Sequence, residues 1–476
     1  MEFLILLITP LLAACVSALV RSKRTVIEAV TIGAVAIEAV SFARLVVSVV
    51  SNGSAVYAPY LSLNALGALF GGVVVLVGCI AALYSIGYLR EETRRGIIGM
   101  HRIRQFYALF HVFIFFMLAA VVVTNPILMW IAVEATTLST VFLISFYGKP
   151  NTIEAAWKFL IINSVALLLG FLGTLLFVGM PTHFGEAWSF AQGAPLDPAL
   201  VKIAFVLILI GYGTKTGFVP LHTWLPDAHG MAPVPISSLL SGALLNVSFL
   251  VLLRFTLLTD SALGSTFSHQ LFLAFGLLSV CIAALLIFTQ HNYKRLLAYS
   301  SIEHMGIMAL GIAAGGVGVF AALLHMIYHA MTKSLLFLSS GNIILKYGTA
   351  KISGVRGLRR ALPFTATLFL IGVLSITGVP LFGIFITEFS ILSALMSTNS
   401  VVACGVLVAL ALVCVGFFKA LSLMMAGDPP RDEGGSGESG WTLAPLCVLV
   451  VLIGILSITV PAPLHTLLTQ AAALFH

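Results

Sequence analysis

Ionisable side chains stand inside long apolar stretches of this sequence, where a charge is costly and is kept for a function. The leading set lies on successive apolar stretches and comprises Glu134, Lys215, His304, His329, Lys333 and Glu388. A buried lysine near a carboxylate can gain and lose a proton as the carboxylate's charge changes, and histidine titrates near neutral pH. The set therefore predicts a lateral proton relay inside a membrane.

A second set of titratable residues stands close to the first and is predicted to support it: Glu154, Lys158, His222, Asp227, His229 and His325. The spacing of His325, His329 and Lys333 by four residues places them on one face of a helix. Glu154 and Lys158 are one helical turn apart, and a purely structural ion pair is the alternative interpretation for them.

We expect neither a metal nor any other cofactor in this chain. Its six cysteines lie singly in apolar runs without a CxxC pair, whereas iron–sulfur and zinc sites need clustered thiolates. The sequence also offers no phosphate-binding loop or nucleophile motif that would compete with a proton relay.

The elements that position these residues must be membrane-spanning helices. Of the 476 residues, 60% are hydrophobic and 9% are charged, against about 25% charged residues in soluble domains. Continuous apolar blocks of roughly 20 residues are typical of transmembrane helices and unlike the alternating strands of a membrane barrel. This composition excludes a soluble protein, a disordered chain and a nucleic-acid-binding protein, and it predicts an all-α integral membrane fold.

About fourteen spans fit the apolar blocks. They are predicted near 2–20, 26–50, 63–88, 104–122, 124–146, 154–178, 200–225, 231–256, 268–289, 296–314, 317–346, 364–398, 401–423 and 441–460. The first carries Glu2 and no basic residue ahead of it, so we expect an uncleaved span and not a signal peptide. Most of the 24 Lys and Arg residues follow odd-numbered spans, which predicts that both termini lie on the outer side.

Spans 4–8 and 9–13 are predicted to form two five-helix repeats of inverted orientation. The segment TGFVPL in span 7 is echoed by TGVPL in span 12, and paired helix breaks in inverted halves indicate an ion pathway. The predicted organisation is residues 1–103 for the first three helices, 104–256 and 257–426 for the two half-channels, and 427–476 for a Gly-rich linker and the last helix.

These motifs resemble the antiporter-like proteins shared by respiratory complex I, Mrp-type cation/proton antiporters and membrane-bound group 4 hydrogenases. Within that superfamily, IGYGTKTGFVPLHTWLPDAH, MWIAVEATTLST, EAAWKF and KRLLAYSSIEHMG are most similar to the hydrogenase-4 branch. The resemblance implies that Glu134 pairs with Lys215. It further implies that His304, His329 and Lys333 continue the pathway and that Glu388 ends the second half-channel.

The resemblance implies a proton-translocating, non-redox subunit of a [NiFe]-hydrogenase, a formate hydrogenlyase-type complex or a complex I-like oxidoreductase in the cell membrane. Iron–sulfur clusters and a nickel–iron centre would lie in partner subunits, some in the membrane and some peripheral. Two alternatives stay open: an Mrp-type Na⁺/H⁺ antiporter subunit, because Glu134 and Asp227 could serve a hydrated cation, and a structural anchor without pumping. One departure is Asn246, which stands where many relatives carry a lysine. The proton relay between the two half-channels must therefore bypass this position through water or His304.

Overall fold

A computed structural model of the chain describes residues 1–57, 60–179, 197–429 and 438–475. The described residues are almost entirely helical. The first half contains α1 (Glu2–Leu19), α2 (Arg24–Asn52), α3 (Ala65–Arg94), α4 (Met100–Val122), α5 (Pro126–Ile144), α6 (Pro150–Gly179), α7 (Pro198–Thr216), α8 (Trp224–Met231), α9 (Val234–Leu239) and α10 (Leu245–Leu263). A hairpin of β1 (Ser54–Tyr57) and β2 (Leu61–Asn64) joins α2 to α3 in antiparallel register.

The second half continues the bundle without strands in its described residues. It contains α11 (Thr266–Phe288), α12 (Tyr293–Ala314), α13 (Val317–Tyr347), α14 (Leu358–Ala361), α15 (Pro363–Ile376), α16 (Gly383–Thr398), α17 (Ser400–Met425), α18 (Gly440–Ile458) and α19 (Ala462–Ala472). Short 3-10 turns cover Ile352–Gly354 and Ala473–Phe475.

The predicted all-α membrane architecture is confirmed. Thirteen helices of the described ranges are long and apolar enough to cross a membrane, counting 234–263 as one. The stretch predicted as span 12 is divided into the shorter helices α15 and α16. The prediction for span 7 needs correction, because α7 ends at Thr216 and α8 is a separate short helix.

The helices that carry His304, His325, His329 and Lys333 are among the most deeply buried of the described residues. Every residue of the most apolar window in 234–263 is buried, as are 94% of those in α12 and α13, against 28% in α18. A π-helical segment at Leu240–Leu244 joins α9 to α10, and such segments are frequent at functional sites because they displace side chains locally. The β hairpin and α19 are not anticipated by the apolar pattern, and the predicted division at 104–256 and 257–426 stays a prediction.

Candidate functional site: two buried polar clusters

The first cluster joins a lysine of α7 to a glutamate of α5 and consists of Glu134, Thr137, Ser164 and Lys215. Lys215 is fully buried and donates to Thr137 Oγ1 at 2.5 Å and to the Val133 carbonyl at 2.8 Å. Thr137 Oγ1 donates in turn to Glu134 Oε2 at 3.4 Å, and Ser164 donates to Glu134 Oε1 at 2.7 Å. The two predicted partners, Glu134 and Lys215, are thus brought together with a hydroxyl between them.

The break after α7 places Lys215 in the last turn of that helix. The helix stops at Gly217, whose φ of 94° is a left-handed conformation that glycine adopts without strain. The freed backbone groups find partners inside the protein: Trp224 donates to the Thr214 carbonyl at 2.9 Å, and the Val219 amide donates to Ser279 at 3.0 Å. Irregular backbone at membrane depth is tolerated where protein groups satisfy it in this way.

The second cluster lies in α12, α13 and α16 and consists of His304, His325, His329, Lys333 and Glu388. His304 Nδ1 is 2.9 Å from His325 Nε2 and 3.9 Å from Glu388 Oε1. The rings of His304 and His329 are 5.3 Å apart between centroids, and Lys333 donates to the Leu297 carbonyl at 2.8 Å. All five residues are buried, so the structure gathers this part of the predicted set in one place.

A second helix break sets the position of Glu388. Between α15 and α16, Gly378 adopts a φ of 64°, and a side chain there would collide with the Glu388 carboxylate. The absence of a Cβ at this position therefore makes room for the carboxylate beside the break. Both clusters thus have a titratable residue beside a helix break that contains a glycine of positive φ: Lys215 lies before the break, in α7, and Glu388 lies after it, in α16.

Buried hydroxyl groups adjoin Lys333 of the second cluster. Ser241, in the π-helical segment, is 2.8 Å from Ser301 of α12, and Ser301 donates to the Leu297 carbonyl at 3.2 Å. That carbonyl is the one that also accepts from Lys333. Asn246 donates to the Gly242 carbonyl at 2.8 Å, while its buried side-chain oxygen has no partner among the described residues.

Three residues of the predicted supporting set, Glu154, Lys158 and Asp227, lie at the surface. Together with Arg295 they form a cluster of four charged side chains. Lys158 is 2.7 Å from Glu154 and 3.4 Å from Asp227, and Arg295 also contacts Asp227. The side chains of Lys158 and Glu154 are 48% and 64% exposed in this chain. The sequence placed Lys158 inside a span because its neighbours are apolar, but it points away from the bundle centre, which favours the interpretation as a structural pair.

The remaining supporting histidines take different positions. His229 is buried on α8, stacked at 4.7 Å on Phe337, and neither ring nitrogen has a hydrogen-bond partner in the described residues. His222 lies in the segment between α7 and α8, 6.3 Å from the ring of Tyr299. No hydrogen bond connects either ring to the two clusters within the described chain.

Three further polar residues of the interior are not in the set predicted for the relay, although the position of Glu303 in span 10 is visible in the sequence. Glu303 is buried beside His304, with Oε2 3.7 Å from His304 Nε2; its place in span 10 matches that of Glu134 in span 5, a usable signal. Lys294 stands between the predicted spans 9 and 10, yet it is buried and donates to the Ala232 carbonyl at 2.7 Å. Glu92 is buried and accepts from Tyr147 at 2.6 Å.

Comparison with known proteins gives consistent results. The family described as NADH:quinone oxidoreductase/Mrp antiporter, transmembrane, matches residues 123–414. The chain is 38% identical over 366 residues to the "Hydrogenase-4 component F homolog" of Methylacidiphilum infernorum (isolate V4), covering 75% of this chain and 77% of that protein. The resemblance inferred from the sequence motifs is thereby confirmed.

Two solved structures share the fold over nearly the whole chain. One is a chain of the membrane-bound sulfane sulfur reductase, an archaeal respiratory membrane complex, with a TM-score of 0.88, 24% identity, and coverage of 99% of this chain and 97% of that chain. The other is a chain of the Mrp complex from Dietzia sp. DQ12-45-1b, with a TM-score of 0.87, 20% identity, and coverage of 100% and 97%. These likenesses concern the fold.

Proposed function

We propose that this chain, which belongs to the NADH:quinone oxidoreductase/Mrp antiporter transmembrane family, translocates protons as a non-redox subunit of a membrane-bound oxidoreductase. The observation that carries the proposal is the contact series from Lys215 through Thr137 to Glu134 inside a membrane helix bundle. A fully buried ammonium group needs compensation by a nearby charge or by hydrogen bonds. Because its protonation depends on that compensation, a change in the charge of Glu134 would switch Lys215 between its two protonation states.

The Thr137 hydroxyl gives this coupling a route. It accepts from the Lys215 ammonium and donates to Glu134, so it stabilises the ammonium and the carboxylate together. When Glu134 is protonated, the hydroxyl can no longer donate to an anion, and the ammonium loses part of its stabilisation. Proton release from Lys215 towards Lys333 would follow, with the buried hydroxyls of Ser241 and Ser301 as hydrogen-bonding partners for water.

The second cluster would carry the proton from the centre to the exit. Lys333 and His329 are one helical turn apart on α13, and the His329 ring lies beside that of His304. His304 contacts His325 at 2.9 Å and approaches Glu388 at 3.9 Å. Imidazole nitrogens can accept and donate protons without large movements, which suits a relay of short steps. In this proposal Glu388 is the last carrier before the outer side.

Orientation is part of the proposal. The positive-inside rule assigns the basic loops after odd-numbered spans to the cytoplasm and both chain termini to the outside. On that assignment the surface cluster around Asp227 faces the cytoplasmic side, where protons would be taken up. The first half-channel, 104–256, would then load from the cytoplasm, and the second, 257–426, would release outwards.

The similarity to a hydrogenase-4 component F homolog favours the hydrogenase branch. We propose that the electron-transferring nickel–iron centre and iron–sulfur clusters reside in partner subunits, membrane-embedded and peripheral. Pull-down of the affinity-tagged chain from membranes, followed by mass spectrometry, tests this. We expect chains with cysteine-rich iron–sulfur motifs and a large hydrogenase subunit to co-purify. Recovery of small antiporter subunits alone, with sodium uptake by the reconstituted complex, would contradict it and support the Mrp-type alternative.

A further inference from the structure

Three metal-binding side chains converge in the second cluster. One donor atom from each of His304, His325 and Glu388 lies within 4.8 Å of the other two, and all three residues are buried. His304 Nδ1 and His325 Nε2 are separated by 2.9 Å, and His304 Nδ1 is 3.9 Å from Glu388 Oε1. Within the described chain, no hydrogen-bond donor contacts the Glu388 carboxylate. The three side chains come from different helices, so the convergence is a product of the fold.

The hydrogen bonds on the far side of each ring decide which nitrogens carry protons. His304 Nε2 lies 3.1 Å from the Ile376 carbonyl, which can only accept, so this nitrogen is the donor. The Thr387 hydroxyl donates to the Ile384 carbonyl at 2.8 Å and therefore accepts from His325 Nδ1, 2.8 Å away. In the neutral rings, both nitrogens that face each other are then unprotonated. Two lone pairs at 2.9 Å repel unless a cation lies between them.

The position between the rings suits a proton or a metal ion. Imidazole and carboxylate ligands bind zinc at about 2.0–2.2 Å, which in a tetrahedral site separates the ligand atoms by roughly 3.3 Å. The observed spacings of 2.9 and 3.9 Å bracket that value. Zinc enzymes also use this ligand set, in which two histidines and one glutamate leave a fourth position open. Glu388 and Glu303, whose Oε2 is 3.7 Å from His304 Nε2, supply two carboxylates to balance a divalent charge.

We propose that His304, His325 and Glu388 bind a divalent transition-metal ion, Zn²⁺ or Co²⁺, in place of the proton that the two imidazoles share. The metal would act as an inhibitor that occupies the second half-channel, not as a resident cofactor. Binding follows from the geometry alone, whereas the inhibition rests on the proposed proton pathway. Thr387 and the Ile376 carbonyl would orient the two rings, because a ligand's second nitrogen fixes its tautomer.

The test uses the full-length chain purified in detergent and Co²⁺ alone as the probe. Wild-type protein should bind one Co²⁺ per chain with the visible absorption of a low-coordinate nitrogen–oxygen site, and Zn²⁺ should displace it. His325→Gln and Glu388→Gln should each weaken binding at least tenfold. Thr387→Val leaves all three ligands in place and should still cost about 10- to 100-fold in affinity, as loss of a ligand's orienting partner does. His465→Gln, at an exposed histidine of α19, is the matched control and should bind like wild type.

The outcomes separate the two parts of the inference. Absence of stoichiometric Co²⁺ binding by wild-type protein, or binding unchanged by His325→Gln and by Thr387→Val, overturns the metal site. If His325→Gln does not give a monodisperse protein, the Co²⁺ affinity of Thr387→Val alone tests the metal site. Proton translocation by the reconstituted complex is then measured with and without Zn²⁺. Binding without inhibition would leave the metal site in place and contradict the proposed pathway through His304.

Discussion

In the proposed pathway the Thr137 hydroxyl couples Lys215 to Glu134, and its replacement gives the sharpest prediction. Thr137→Val is nearly isosteric, so it removes the hydroxyl that accepts from Lys215 at 2.5 Å and donates towards Glu134 at 3.4 Å. Hydrogen bonds to charged groups contribute about 1.5–3 kcal/mol. Lys215 retains its bond to the Val133 carbonyl at 2.8 Å, so the loss concerns the coupling and not the position of the lysine.

A loss of about 1.5–3 kcal/mol corresponds to roughly a 10- to 150-fold change in the rate of a step that depends on this contact. We therefore expect Thr137→Val to slow proton translocation by that factor while electron transfer in the complex falls less. The assay is quenching of a pH-sensitive dye in vesicles that contain the reconstituted complex, with substrate oxidation followed in the same sample.

Two controls separate the hydroxyl from general effects on α5. Thr137→Ser retains a hydroxyl at the same position, so its rate of proton translocation should be within about threefold of wild type. A threefold change corresponds to about 0.6 kcal/mol, which allows for the lost methyl contact. Thr140→Val removes a hydroxyl whose partners among the described residues are carbonyls of its own helix, and it should have little effect. Equal translocation by Thr137→Val and Thr137→Ser would refute the reasoning.

Three further predictions concern the same pathway. Glu134→Gln should impair translocation as much as Lys215→Met, and the double variant should be no worse than either, because the residues act as a unit; additive losses would assign them to separate steps. Glu388→Gln should block proton release to the outside while isotope-labelled protons still reach the interior groups, and normal pumping at normal turnover would place the exit elsewhere. Glu154→Gln should leave translocation within about fivefold, because exposed ion pairs contribute about 0–1 kcal/mol; a larger loss would return Glu154 to the relay.

The positions of the titratable residues could be predicted because charges are rare in apolar stretches and stand out there. Glu134, Lys215 and Glu388 were found on that basis, and the Gly- and Pro-containing breaks beside the last two were visible as motifs. The physical reason is that an ionised side chain and an interrupted helix are both costly in lipid. Both therefore occur where the bundle compensates them.

Whether a side chain points into the bundle or away from it could not be predicted in the same way. In a soluble helix the polar face is the exposed one, but a membrane helix is apolar on both its lipid face and its packed face. Lys158 is accordingly predicted as interior and is exposed, while Lys294 is predicted as a loop charge and is buried. The contact between His304 and His325 joins two helices and depends on their packing, which no local spacing encodes.

The roles of hydroxyl groups are the hardest to predict from the sequence. Thr and Ser residues are frequent in these helices, and most of them bond to the carbonyl of the preceding turn, as Thr174 does to Gly170. The hydroxyls of Thr137 and Ser164 instead donate to Glu134. Their roles follow from three-dimensional placement, so the bridge between Lys215 and Glu134 became visible only in the structure.

The central claim is that the chain moves protons through Lys215, and the most direct test is the number of protons translocated per electron in vesicles with the reconstituted complex carrying Lys215→Met. Methionine keeps the length and the apolar packing of the side chain and removes its titratable group. We expect the complex to assemble and to turn over its redox substrate while this chain's share of translocation is lost. Translocation at the wild-type ratio with Lys215→Met, in a complex of unchanged composition, would contradict the account.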